Sequence, residues 1–103
     1  GESSLEIRKR VIKARDVATQ RFKNEQNLRC NAQMQSHHLQ KHCKLDDSSK
    51  RLLEGAIQKL GLSARASDRI LKVARTIADL AGDEQLKPHH VAEAIQYRTI
   101  DRM

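Results

Sequence analysis

The fold of this chain is decided by residues 61–82, which read GLSARASDRILKVARTIADLAG. Ser63, two residues after Gly61, can cap a helix, and Gly82 can end the same helix. Between them, apolar residues recur at spacings of three and four, which places their side chains on one helix face. These apolar positions are Ala66, Ile70, Val73, Ala74, Ile77 and Leu80. The segment therefore predicts an amphipathic helix that packs against other elements.

The second half of the chain predicts two more helices around this one. A cap at Asp46 or Asp47 begins a helix that Gly61 ends, and Pro88 suits the first turn of a final helix. The short connection at Gly61 makes two of the three helices neighbours. Residues 46–103 are therefore expected to form a three-helix core.

The first half of the chain predicts one long helix and a variable connection. Ser3 can cap a helix that runs to about Lys23. Its apolar stripe comprises Ile7, Val11, Ala14, Ala18 and Phe22. Residues 24–35 lack periodicity and predict a loop, and a short helix is expected within residues 36–43.

Composition favours an all-α fold, a compact bundle of four to five helices. Of the 103 residues, 38% are hydrophobic and 2% are aromatic, so Leu, Ile, Val and Ala must build the core. One proline and four glycines provide few of the turns that an all-β fold needs. We expect a single domain over residues 1–103, made of a lead-in helix (1–23), a variable loop with a short helix (24–45) and the three-helix core (46–103).

The net charge of +7 favours anionic partners, such as nucleic acid, nucleotide phosphates or an acidic protein surface. No apolar run in the sequence approaches the length of a membrane span, and no export signal is recognisable. We therefore expect a cytoplasmic location, no membrane contact, and free thiols at Cys30 and Cys43.

No segment of the chain supplies a complete catalytic site. A phosphate-binding loop ends in Gly-Lys-Ser/Thr, and the run from Gly55 to Gly61 has no such ending and lies inside a helix pattern. The nucleophile elbow and the His-Glu-x-x-His pair are also absent from the sequence. The chain alone is therefore expected neither to be an enzyme nor to bind a cofactor.

Arg65 is notable because it falls in the first turn of a predicted helix. A cation there meets the positive end of the helix dipole, at a cost of roughly 0.3–1 kcal/mol. An anion at the same place would meet both the exposed backbone N–H groups and the guanidinium. Arg65 is thus a candidate phosphate ligand, with an ion pair to Asp68 or Asp46, or simple solvation, as the alternatives.

Three blocks of the sequence form a pattern that is specific enough to compare with known families. They are residues 61–80 except Ser67, which departs from the pattern, the start Gly1-Glu2-Ser3-Ser4 with Arg8, Arg10, Val11, Ala14 and Arg15, and the ending Ala94-Ile95-Gln96-Tyr97-Arg98. Together they resemble the C-terminal helical lid domain of magnesium-chelatase-like AAA+ ATPases, in particular the bacterial competence-protein (ComM/YifB) type. The match covers both ends and most of the second half of the chain.

The resemblance implies a function that this chain performs only as part of a larger protein. Such proteins carry an upstream AAA+ core that binds ATP and Mg²⁺, and the lid supplies a sensor-2 arginine that touches the ATP phosphates. The matching residue here is Arg65. Competence-type members are hexameric motors that couple hydrolysis to DNA branch migration in natural transformation, so neighbouring subunits and DNA are implied partners.

The basic first helix has two interpretations. Arg8, Arg10 and Arg15 fall in a family-like block and are candidates, with Arg69, for subunit-interface or phosphate contacts. The alternative is a solvated helix face, for which Lys and Arg are well suited. A free-standing basic helical module that binds nucleic acid or protein remains the alternative function.

A metal site is the weakest candidate. Cys30, His37, His38, His42 and Cys43 lie close in sequence, and His38 and His42 share one helix face. However, adjacent residues such as His42 and Cys43 project about 100° apart on a helix, and the sequence has no Cys-x-x-Cys pair. We therefore expect no metal site.

Overall fold

The computed structural model describes the backbone of residues 3–101 and the side chains of residues 3–98. Gly1 and Glu2, which contribute to the family resemblance, lie outside this range. Within it the chain forms a 3₁₀ turn (Asn31–Gln33) and the helices α1 (Ser4–Arg21), α2 (Ser36–His42), α3 (Asp47–Leu60), α4 (Ala64–Ala81) and α5 (Pro88–Asp101). The expected all-α fold is confirmed. None of these helices combines the length and apolar character that a membrane span requires.

The helix boundaries follow from the capping residues. The side chains of Ser3, Asp46 and Ser63 each accept a hydrogen bond from the backbone N–H three residues further on, at 3.2, 2.7 and 3.1 Å. Gly61 and Gly82 end α3 and α4 with φ values of 64° and 77°, in the left-handed region that glycine adopts at little cost. The caps predicted at these five positions are confirmed.

One hydrophobic cluster extends through all five helices. Its buried members are Ala18, Phe22, Leu28, Met34, Leu39, Cys43, Leu53, Leu62, Ala66, Ile70, Ala74, Ala78, Leu86, Val91 and Ala94. Helix α4 lies at the centre and packs against α1, α2 and α5. The core therefore extends beyond residues 46–103, because Leu28 and Met34 of the irregular connection insert their side chains into it.

The apolar stripe of α1 is only partly buried, contrary to expectation. Ala18 and Phe22 lie in the core, whereas Val11 is half-buried and Ile7 is 45% exposed. Ile7 and Val11 reach only the last turns of α4, which ends at Ala81. The first turns of α1 therefore have little of α4 left to pack against.

Two apolar positions of α4 are also more exposed than its periodicity predicts. Val73 is 38% exposed and Leu80 is 37% exposed, whereas Ile70, Ala74 and Ala78 are almost completely buried. An amphipathic helix buries the centre of its apolar face first, and the edges of that face depend on how far its neighbours reach.

A buried ionic network joins α1, the 3₁₀ turn and α4. The carboxylate of Asp79 accepts two hydrogen bonds from Arg21, at 2.6 and 2.9 Å, and one from Arg75 Nε at 3.2 Å. The Asn31 side-chain amide donates to Asp79 at 2.9 Å and to Thr76 at 3.1 Å. Only 2% of the Asp79 side chain is exposed, so these partners replace its hydration.

Replacing Asp79 with asparagine should destabilise the fold strongly. Asp79→Asn leaves the guanidinium groups of Arg21 and Arg75 buried without their counter-charge, which typically costs about 3–5 kcal/mol. The matched control is Asp16→Asn on the exposed side of α1, which should change stability by less than about 0.5 kcal/mol. Urea denaturation measures both values. A loss for Asp79→Asn no larger than that of the control would show that the network contributes little.

Candidate functional site

The start of α4 presents an exposed cation beside a groove. Arg65 is the second residue of α4, directly after the Ser63 cap, and its side chain is exposed. It borders a groove of about 740 Å³ between α4 and the segment that connects the 3₁₀ turn to α2. The predicted position of Arg65, in the first turn and accessible from outside, is confirmed.

Four basic side chains line this groove. Arg65, Arg69 and Lys72 come from one stripe of α4, because they are spaced four and three residues apart, and Arg98 comes from α5. Among the described residues, no hydrogen bond or ion pair joins any of these four side chains to a partner. The geometry therefore concentrates unpaired positive charge in one concave surface.

The ion pairs that we considered for Arg65 are not formed. Asp68 lies in the groove, but its carboxylate accepts a hydrogen bond from the Ser36 hydroxyl at 3.1 Å. Asp46 caps α3 instead. Arg65 thus remains available for an anion from outside the described chain.

The three candidate arginines of α1 lie elsewhere. Arg8 and Arg15 border a shallow groove of about 500 Å³ on the surface of α1, together with Ile7, Val11 and Ile12. Arg10 lies beside Ile77 and Leu80, near the other end of α4. Because 12 residues of helix span about 18 Å, Ile77 is that far from Arg65 along α4. Of the other predicted site residues, the structure brings only Arg69 into the groove of Arg65.

The family comparison agrees with this arrangement of helices. Residues 1–98 match the family model described as "Magnesium chelatase, subunit ChlI C-terminal". The chain belongs to this family. The predicted resemblance to magnesium-chelatase-like proteins is thereby confirmed.

Several proteins are similar to this magnesium chelatase C-terminal domain over nearly its whole length. It is 44% identical over 103 residues to "Competence protein ComM" of Haemophilus influenzae and 43% identical over 103 residues to "Uncharacterized protein YifB" of Salmonella typhimurium. It is 35% identical over 98 residues, 95% of the chain, to "Uncharacterized protein Rv2897c" of Mycobacterium tuberculosis. The first two matches cover 100% of the chain, and all three cover 19% of the relative. The chain thus spans about a fifth of the length of these relatives.

Sequence reasoning missed Arg98 as a residue of the groove. The final helix predicted to begin near Pro88 indicates only that the Arg98 side chain lies on a helix. Its position beside Arg69 and Lys72 depends on how α5 crosses α4. A search for basic residues near the ends of neighbouring helices is the only signal that could have found it.

The residues considered for a metal site do not form one cluster. Cys43 lies in the hydrophobic core, whereas Cys30 is exposed. His38 Nε2 and His42 Nε2 instead lie 3.7 and 3.8 Å from the Glu25 carboxylate. The absence of a metal stays a prediction, but the structure separates Cys30 and Cys43 from the two histidines that face Glu25.

A second group of potential ligands is explained by hydrogen bonds. The ligand atoms of Asp83, His89 and His90 lie within 4.8 Å of one another. However, His90 Nδ1 accepts a hydrogen bond from the Lys87 backbone N–H at 2.9 Å, so the proton of the neutral ring is on Nε2. That N–H donates to Asp83 at 2.8 Å. The buried His90 ring therefore has no free lone pair and serves to cap α5.

The two cysteines should differ strongly in reactivity. Burial raises the pKa of the Cys43 thiol to about 11, so almost no thiolate is present at pH 8. We expect a maleimide or a disulfide reagent to modify Cys30 rapidly and Cys43 only after the protein is denatured. Mass spectrometry of the native protein measures this, with Cys30→Ser as the control that should not react. Rapid labelling of Cys43 in that variant would contradict the buried environment.

The stability of the fold should decrease in mild acid because of His42. Burial lowers the pKa of His42 below 6.5, Lys41 and Arg21 lower it further, and Glu25 opposes them. As the pH falls, His42 therefore gains its proton in the unfolded chain before it does so in the folded protein. The contribution of His42 to the free energy of unfolding is fully present above about pH 6.5 and is lost as the pH falls through the pKa of His42 in the folded state.

The measurement is urea denaturation at pH 7.5 and pH 5.5, a range in which Glu25 stays ionised because its pKa lies below 4.5. The loss of stability between these pH values should be smaller in His42→Gln than in the wild type. The exposed His37 provides the control, since His37→Gln should keep the wild-type dependence. Identical pH profiles for wild type and His42→Gln would exclude this role.

Proposed function

We propose that this domain is the lid of an AAA+ ATPase motor of the magnesium-chelatase-like type, and that Arg65 is its sensor-2 arginine. In this role Arg65 contacts the phosphates of ATP, which an upstream core of the same polypeptide binds with Mg²⁺. The observation that carries the proposal is the exposed position of Arg65 in the first turn of α4, in a groove whose basic side chains have no anionic partner within the described part of the chain. Family membership supports the same role.

The mechanism is a nucleotide-dependent change of lid position. ATP would attract Arg65 and the exposed N–H groups of α4 more strongly than ADP, because ADP lacks the γ-phosphate that these groups would contact. A ligand shifts a conformational equilibrium only by its difference in affinity for the two states. Hydrolysis would therefore release the lid, and the hinge motion would do work in the assembled motor.

The surface of α1 supports a protein contact rather than a DNA contact. Besides Arg8 and Arg15, α1 exposes Leu5, Ile7 and Ile12 by 61, 45 and 50%. A nucleic-acid surface needs basic and hydrogen-bonding groups, whereas an apolar patch with a basic rim is typical of protein interfaces. We assign this face to the upstream core or to a neighbouring subunit of a hexamer.

The complete motor is proposed to act in the cytoplasm on DNA, and to couple ATP hydrolysis to branch migration during natural transformation. The similarity to a protein named for competence supports this assignment. The +7 charge of the chain is compatible with it, but we assign the basic residues discussed above to nucleotide and protein contacts. DNA is therefore expected to meet other parts of the motor.

Replacing Arg65 should impair the complete ATPase without unfolding it. Arg65→Ala removes a charge-assisted contact to the transferred phosphate, and the loss of one such contact typically lowers kcat on the order of 10²-fold. The matched control is Arg51→Ala on the exposed side of α3. Lys72 is unsuitable as a control because it borders the same groove. DNA-stimulated ATP hydrolysis and thermal stability are measured on the same samples.

Both variants should melt within a few degrees of the wild type, since removing an exposed cation from the first turn of a helix is neutral or slightly favourable. Wild-type turnover in Arg65→Ala would refute the sensor assignment. A loss of activity that accompanies a large loss of thermal stability would equally count against it, because unfolding would then explain the defect.

A further inference from the structure

The groove beside Arg65 holds more positive charge than its surroundings balance. Three of its cations lie on α4, and the first and last of them are seven positions apart, a length of about 10 Å. The fourth, Arg98, reaches the same groove from α5. Asp68 supplies the one carboxylate among the described lining residues, and it accepts a hydrogen bond from the Ser36 hydroxyl. Like charges at a spacing of four residues repel each other, so folding alone gives no reason for this arrangement.

Unlike the other three cations, Arg98 has a side-chain nitrogen that is buried without a hydrogen-bond partner. Its side chain is half-buried, and its Nε atom is inaccessible to water and has no hydrogen-bond partner. A buried donor without an acceptor is unfavourable, because it has lost its water without gaining a replacement. Because Nε is buried, a ligand in the groove would contact the terminal nitrogens of Arg98, which lines the groove.

We propose that Arg98 is a second phosphate-binding arginine, and that the groove binds a polyphosphate between α4 and α5. Arg65, Arg69 and Lys72 would neutralise one side of the phosphate chain and Arg98 the other. The ligand class is a short linear polyphosphate, as in a nucleoside triphosphate. The identification of that ligand as ATP rests on the proposed function, whereas the role of Arg98 in binding a polyphosphate does not.

The shape of the groove favours a short polyphosphate over a nucleic-acid duplex. The connection between the 3₁₀ turn and α2 forms one wall through Met34 and Gln35, and α4 forms the other. A duplex requires basic residues along an open surface, whereas these four cations are confined to one concavity of about 740 Å³. A guanidinium can also contact two oxygens of one phosphate, which suits a compact anion.

The experiment titrates the 103-residue chain with inorganic tripolyphosphate at low ionic strength and measures Kd by calorimetry. Arg98→Gln and Arg51→Gln each remove one arginine charge from a helix, but Arg51 lies on the exposed side of α3. We expect Arg98→Gln to raise Kd about tenfold or more, and Arg51→Gln to raise it less than about twofold, because distant charges are screened. Equal effects of the two substitutions would overturn the proposal, since net charge would then explain the binding.

A second variant covers the case in which Arg98→Gln does not fold, which circular dichroism will show. Arg98→Lys keeps the charge but loses the planar fork of donors, and we expect it to raise Kd at least threefold. An unchanged Kd in a folded Arg98→Lys variant would overturn the proposal whenever Arg98→Gln cannot be used. A short DNA duplex that binds more tightly than tripolyphosphate, with the same dependence on Arg98, would overturn the assignment to a polyphosphate.

Arg65→Ala separates this inference from the proposed function. If Arg65→Ala weakens tripolyphosphate binding and Arg98→Gln does not, the role of Arg98 is wrong and the sensor assignment stands. If Arg98→Gln weakens binding but Arg65→Ala leaves the complete ATPase fully active, the polyphosphate groove stands and the sensor assignment is wrong.

Discussion

The structure depends on one buried carboxylate, that of Asp79. A charge with 2% of its side chain exposed must find its counter-charge within the protein, and Asp79 finds it on two different elements. Arg75 is one turn away on α4, whereas Arg21 is the last residue of α1. Since Arg21 donates to both carboxylate oxygens, its position is restricted in direction as well as in distance. The end of α1 is thereby held against α4.

The same carboxylate also positions the groove that contains Arg65. Asn31 donates to Asp79 and to Thr76, which fixes the 3₁₀ turn on the surface of α4. The next residues, including Met34 and Gln35, form the wall that faces Arg69 and Lys72. Met34 is almost completely buried, so the wall is fixed by packing as well as by hydrogen bonds. The concave shape of the basic surface is thus a consequence of the buried network. The positive charge of that surface does not depend on the network.

Helix α4 connects two surfaces of different character. Its first half carries the basic groove, and its second half packs against α1, whose outer face is apolar with a basic rim. In the proposed lid, an event at the phosphates would be transmitted along a rigid helix, because the intervening residues are close-packed and cannot absorb the displacement. The ion pairs of Asp79 join the second half of α4 to the end of α1. This arrangement would allow a lid to report on a nucleotide and to move a neighbouring protein surface at the same time.

The sequence by itself determined the helices, their caps and the exposure of Arg65. These features depend on residues that are close along the chain, such as Ser63 before Ala66 or Gly61 after α3, so local physical chemistry is sufficient to predict them. The resemblance likewise rested on local blocks, and the family comparison confirmed it.

Three other features were decided only by the tertiary structure. Ile7 lies outside the core although it follows the periodicity of the buried stripe, because the length of α4 limits what α1 can cover. Arg21 pairs with Asp79 across 58 residues, and Arg98 joins Arg65 in one groove across two helices. No periodicity within a single segment encodes such pairings, since they depend on the angles at which whole helices cross.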